Sequence, residues 1–212
     1  MNKITTNAIA YEFDELGSCL TYAFLIEKEN AFYLIDTFCG SDYMMPIIKK
    51  IGEKKVTAIN THSHWDHVWG NCCFQKSDII SHEKCRKLLD GVWEKDLEKN
   101  KKYALGNTTK CLPNITFTDK LEFHKDGIEI FYSPGHTIDC ISIFDHENKT
   151  LYVGDNLEKP NVSVEDDDIE TYINTLKKYI SYKPKRIMAG HTLNLTEQDI
   201  LDTIEHLKKK GD

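Results

Sequence analysis

The sequence predicts an α/β fold, and three observations carry that prediction. Through the first half, apolar runs of strand length alternate with segments of helical period. From residue 115 onward strand-like runs return, and two helical segments follow among them. Three of these later runs end at a glycine, with a histidine or aspartate at once behind it: "SPGH" at 133–136, "VGD" at 153–155 and "AGH" at 189–191.

The elements follow in order. "CLTYAFLIE" (19–27) and "AFYLIDT" (31–37) read as two strands joined by the polar turn Lys28–Asn30, a hairpin with Asp36 at its far end. Residues 42–53 suit a helix that begins late because of Pro46 and stops near Gly52. "VTAIN" (56–60) is a short buried strand, followed by a histidine-rich loop, a short helix and the strand "DIIS" (78–81). Residues 82–112 are charged and mostly helical in character, with Trp93 and Tyr103 as large apolar groups; they suit a surface excursion or a lid. Strands return over 115–134, 140–155 and 186–190, with a helix near 166–182 that ends before Pro184. A last helix starts at Thr196 as N-cap and closes on Lys208–Lys210, which suit its C-terminal dipole. No low-complexity linker interrupts the chain, so residues 1–212 are expected to form a single domain.

Composition excludes several function classes. A net charge of −7 argues against a nucleic-acid partner, because phosphate backbones are bound by clustered Lys and Arg. No run approaches the about 18 apolar residues of a membrane span, and Glu12, Asp14 and Glu15 stand where a secretion signal would be apolar. The seven cysteines are scattered and include no C-x-x-C pair. A reduced, cytoplasmic protein is expected, with a small molecule as substrate and a homodimer left open.

The loop "THSHWDHVWGN" (61–71) carries the chemistry. His62 and His64 are two apart, so an extended backbone turns both rings to one side. Asp66 stands where a helix can begin, and His67 follows it. Metal sites gather ligands from distant parts of a chain, and His136, Asp155 and His191 each sit just past a strand-ending glycine. The candidate ligands are then His62, His64, Asp66, His67, His136, Asp155 and His191. Five imidazoles and two carboxylates exceed one tetrahedral ion and suit two. Nitrogen and oxygen donors favour zinc, with iron or manganese as alternatives. His82, His124, His146 and His206 lack this context and read as structural or solvated.

"HSHWDH", "GHT", "VGD" and "AGH", in that order, resemble the metallo-β-lactamase-fold hydrolase superfamily, from the "LIDT" strand near Asp36 to His191. The resemblance implies a four-layer αββα sandwich of two mixed β-sheets flanked by helices. It implies that His62, His64 and His136 hold one metal, that Asp66, His67 and His191 hold the other, and that Asp155 bridges them. Asp36 matches an aspartate that orients ligands from behind. The activity implied is hydrolysis of a small ester, thioester or lactone by a metal-bridging hydroxide, with Asp66 able to relay a proton. Glu158 stands three residues past Asp155, where subfamilies place a substrate-anchoring lysine or a tyrosine, which disfavours a true β-lactamase and a quorum-quenching lactonase. The alternatives are a mononuclear iron redox enzyme of the persulfide dioxygenase kind and a non-catalytic metal-binding domain.

Overall fold

Residues rich in β-branched and aromatic side chains, apolar at nearly every position, form strands buried on both faces. The computed structural model describes residues 1–17, 19–159, 162–165 and 168–211, the side chain of Lys210 excepted. It divides into two units, Met1–Phe117 and Thr118–Asp212, each built on one sheet.

The first unit holds a seven-stranded mixed sheet in simple chain order. Its strands are β1 (Asn2–Lys3), β2 (Ala8–Phe13), β3 (Thr21–Glu27), β4 (Ala31–Ile35), β5 (Lys55–Ile59), β6 (Asp78–His82) and β7 (Ile115–Phe117). β1 to β4 run antiparallel, and β4 to β7 pair parallel. The β3–β4 hairpin turns at the expected place, since the Lys28 N–H donates to the Ala31 carbonyl. β2 was not foreseen. Its "AIAYEF" registers Ala8 against Ile26 through Phe13 against Thr21, and Glu12 is the exposed position that interrupts the apolar run.

Each parallel pair needs a crossover. The first carries helix α1 (Met45–Ile51), whose Pro46 occupies the first turn, where a missing N–H costs nothing; Gly52 caps its end at φ 62°. The second carries the short helix α2 (Trp65–Val68) and a 3-10 segment, Trp69–Phe74. The third carries α3 (Glu83–Lys99), capped by His82, whose Nδ1 accepts the Lys84 N–H. One sheet face packs Phe13, Leu25, Leu34 and Ala58 with Ile47 and Ile51 of α1 and Leu89 and Trp93 of α3. Phe24, Ile26, Ile35, Ile59 and Ile80, of opposite parity, are equally buried. Burial of each such side chain stabilises by about 1.5–3 kcal/mol.

The second unit holds a five-stranded sheet: β8 (Lys120–Phe123), β9 (Ile128–Tyr132), β10 (Ile141–Asp145), β11 (Thr150–Tyr152) and β12 (Arg186–Met188). All pairings are antiparallel except β11 with β12, whose crossover is α4 (Ile169–Ser181). Asp168 caps α4 by accepting the Thr171 N–H at 3.0 Å; Asp166 and Asp167 of the expected start lie outside the described residues. The last helix, α5 (Glu197–Gly211), is held by reciprocal bonds between Thr196 and Asp199, the capping arrangement the sequence predicted. Phe131, Phe144, Leu151 and Ile187 pack against Leu176 and Tyr179 of α4 and Ile200, Ile204 and Leu207 of α5.

The excursion after α3 is fastened down rather than free to open. Leu105 donates its N–H to the Cys39 carbonyl, Asn107 is bonded reciprocally with Ser41, and the Trp93 indole N–H reaches the Thr108 carbonyl. Asn71 holds the Cys111 carbonyl, and Arg86 holds that of Pro113. Trp93→Ala removes both the indole contact and a large core side chain. It is expected to lower unfolding free energy by about 3–5 kcal/mol in denaturant titration and to speed protease cleavage within 104–112.

Candidate metal centre

In the first unit the candidate ligands leave the end of β5. His64 keeps the extended backbone (φ −68°, ψ 143°) that the spacing requires, and the His62 and His64 rings lie 4.5 Å apart. A ring nitrogen of each falls within 4.8 Å of the other. Helix α2 then turns the chain back, so that the His67 ring comes to 4.4 Å from that of His62. Asp66 Oδ2 lies 3.6 Å from His67 Nε2. All but His64 are buried, an arrangement that costs free energy unless the polar atoms are engaged.

Asp36 supplies much of that engagement. It sits at φ 59°, a conformation that Asp and Asn tolerate better than most residues. Its Oδ1 accepts the Thr61 N–H at 2.8 Å, and its Oδ2 accepts both the Thr61 hydroxyl and His67 Nδ1 at 2.8 Å. The Thr61 proton is spent on Asp36, so the 3.1 Å contact between Thr61 Oγ1 and His62 Nδ1 has the imidazole as donor. Both rings are thereby set in the tautomer that carries its lone pair on Nε2, the form that ligates a metal. Behind them, Asn60 and Asn71 exchange side-chain bonds, the Thr37 hydroxyl donates to Asn71, and the Thr37 N–H takes the His67 carbonyl. Burial and then the Asp66 carboxylate push the Cys39 thiol up.

In the second unit the three strand-end residues converge. His136 donates Nδ1–H to the Ser163 carbonyl at 2.8 Å, which again leaves the lone pair on Nε2. Gly154 turns at φ 54° to present Asp155. The Gly190 N–H donates to the Gly154 carbonyl, drawing the end of β12, and with it His191, to the end of β11. Asp155 Oδ2 stands 3.9 Å from His136 Nε2 and 3.1 Å from His191 Nε2. Asp155 therefore stands between two imidazoles. Gly135 has no substitute, since a Cβ there would come within 2.4 Å of the Tyr172 ring and 2.7 Å of Asn156 Oδ1.

The remaining histidines stand elsewhere. His82 caps α3, His124 pairs with Glu122 and His146 with Glu129; His206 lines an open cavity of about 590 Å³ with Glu158, Lys159, Asp199 and Asp202. Lys159 is held at 2.9 Å by Asp199. All seven cysteines are free thiols. Sequence reasoning missed Thr61 and Asn156, each a polar residue adjoining a ligand at a strand end, which is the signal that could have found them.

The family comparison decides what the geometry suggests. The model of the metallo-beta-lactamase superfamily matches residues 16–191. The chain belongs to that superfamily. Its fold is accordingly the metallo-β-lactamase fold, two mixed β-sheets with flanking helices: the VMB-1 crystal structure matches 100% of the chain with a TM-score of 0.77 at 18% identity, over 97% of its own length. A metallo-beta-lactamase from Pontibacter korlensis matches 98% at 0.75 and 19% identity, over 97% of its length.

The curated relatives are closer in sequence. A beta-lactamase-like protein 2 homolog of Drosophila melanogaster is 28% identical over 85% of the chain and 61% of its own length. The hydroxyacylglutathione hydrolase of Francisella philomiragia is 27% identical over 66% of the chain and 49% of its own. The mouse mitochondrial persulfide dioxygenase ETHE1 is 27% identical over 68% and 50%. This superfamily chain thus spans between about half and three-fifths of the length of the curated relatives it matches. Among its described residues no helix is long and apolar enough to cross a membrane.

Asp36→Asn keeps a residue that tolerates positive φ but replaces one of the accepting oxygens with a donor. Divalent-metal affinity, read by competition with a chromophoric chelator, is expected to fall by about 10–100-fold.

Proposed function

We propose that the chain is a two-metal hydrolase acting on a small ester, thioester or lactone. In this reading, as the family pattern implies, His62, His64 and His136 would hold one ion and Asp66, His67 and His191 the other. Asp155 serves both, as its position between His136 and His191 suits it to do. The observation that carries the reading is the tautomer of three imidazoles. His62, His67 and His136 each commit Nδ1–H to a protein acceptor and present Nε2.

A donor set of imidazoles and carboxylates fits zinc first, and iron or manganese as well. Two such cations, when bound, polarise a carbonyl oxygen and make water a nucleophile near neutral pH. The chain's own residues do the rest. Asp36 and Thr61 hold His62 and His67 at fixed orientation, so that little reorganisation is needed during reaction. Asp66 holds a proton or passes it on, using the carboxylate oxygen that does not ligate. The fastened 100–112 segment and the cavity beside Glu158 and Lys159 are the parts that would select the substrate.

The test combines metal analysis with activity. Wild-type protein is expected to bind about two ions per chain and to hydrolyse nitrophenyl esters, thioesters or lactones. Chelation should abolish that activity and zinc should restore it. His64→Ala should cut kcat/KM by about 100-fold or more, about 3 kcal/mol of transition-state stabilisation, with the circular dichroism of the fold retained. Hydrolysis indifferent to chelation would sink the reading. One iron per chain with oxygen consumption would replace it with the redox alternative.

A further inference from the structure

The helix-facing side of the second sheet carries Phe131, Phe144 and Leu151, with a polar cluster toward the ligand-bearing loops. There Ser133 and Ser142 lie fully buried, their hydroxyls 2.8 Å apart. Ser142 Oγ is 2.6 Å from the Tyr179 hydroxyl of α4, and Tyr179 is 2.7 Å from Asn156 Nδ2. Polar groups so deep in an apolar layer persist only when each is satisfied, and here one amide satisfies them.

Asn156 is completely buried and uses every polar atom it has. Its Nδ2 also donates to the Ser133 carbonyl at 2.6 Å, its Oδ1 accepts the His136 N–H at 2.8 Å, and its own carbonyl accepts the Tyr172 hydroxyl at 2.6 Å. Ser133 and His136 bound the loop that ends β9, and Asn156 directly follows Asp155. The one side chain therefore clamps the two ligand-bearing loops together, and two tyrosines of α4 brace the clamp. Thr175, also of α4, holds the Pro134 carbonyl at 2.7 Å, so the same helix grips the loop between these points.

We propose that Asn156 is a positioning residue of the metal centre, fixing the spacing between His136 and Asp155 by bonding the His136 loop from the residue after Asp155. The inference rests on the two-metal reading above. It sets Asn156 apart from the bonds that orient rings one at a time, such as Asp36 on His67. Asn156 touches no ring; it sets the backbone that carries one ligand relative to the backbone that carries the next. A displacement of a few tenths of an ångström there enters metal–ligand distances directly, because such bonds tolerate only about ±0.2 Å.

The test uses the whole chain with cobalt as the probe, since its visible bands report ligand geometry. Affinity comes from competition with a chromophoric chelator, and stability from denaturant unfolding of the metal-free protein. Asn156→Ala is expected to weaken cobalt binding by about 10–100-fold and to shift or broaden the bands. Tyr182→Phe is the matched control: it loses a half-buried bond to Glu129 in the same unit, outside both loops, so its bands and affinity should match wild type. Wild-type bands and affinity in Asn156→Ala would overturn the proposal. If that variant fails to fold, Tyr179→Phe decides, because it removes one brace and keeps the amide. A loss of affinity of a few-fold with altered bands would support the proposal, and an unchanged spectrum would overturn it. A wild-type chain that takes up no cobalt would overturn the metal reading and this inference together. Wild-type uptake with an indifferent Asn156→Ala would overturn this inference alone.

Discussion

The Asp36 carboxylate is the contact on which the first unit's half of the site depends. It ends β4 in a left-handed conformation, buried, and accepts from Thr61 twice and from His67 once. A buried carboxylate without those donors would be too costly to keep charged. The donors, lacking the carboxylate, would leave two imidazoles without a fixed tautomer. β4 and β5 are parallel neighbours, with Ile35 registered against Ile59, so Asp36 arrives beside the start of the histidine loop by strand pairing alone. The sheet does the coarse positioning, and one carboxylate does the fine.

The second unit solves the same problem with neutral groups. Its candidate ligands come from three strand ends. An amide, two serine hydroxyls and two tyrosines form the bracing web instead. Burial pushes the Tyr179 hydroxyl up to about 12 and that of Tyr172 well above its ordinary value, so the web carries no charge at neutral pH. A neutral web escapes the desolvation penalty of a buried ion and holds its geometry across pH.

The ligand loop was legible because its chemistry is local. Alternation places His62 and His64 on one side, and the extended backbone at His64 is the physical cause. The helices 42–53, 166–182 and 196–210 were legible from capping and proline placement. β2 was not, since Glu12 broke the apolar run and the pairing that makes it a strand lies with β3, outside the segment. Thr61 and Asn156 were illegible for a related reason. A threonine or asparagine has a local use in a turn, and only the fold shows that its partners lie 20 to 25 residues away. The excursion over 82–112 read first as surface and second as a lid, because composition says nothing of the bonds that pin residues 105, 107 and 108.

Relatives at nearly the same identity carry names of different chemistry, a hydroxyacylglutathione hydrolase and a persulfide dioxygenase. Family membership therefore fixes the fold and leaves the reaction to the atoms at the site. A single ion serves hydrolytic and oxidative enzymes alike, so the donor set has to be read for a second. One ion needs three or four donors; a second needs donors the first does not consume. In the proposed reading Asp66, His67 and His191 would supply them, and His67 is oriented by Asp36 as His62 is by Thr61. Burying His67 and fixing its tautomer costs free energy unless its polar atoms are engaged. That cost supports the proposed second ion, while the choice between hydrolysis and oxidation rests with the metals bound.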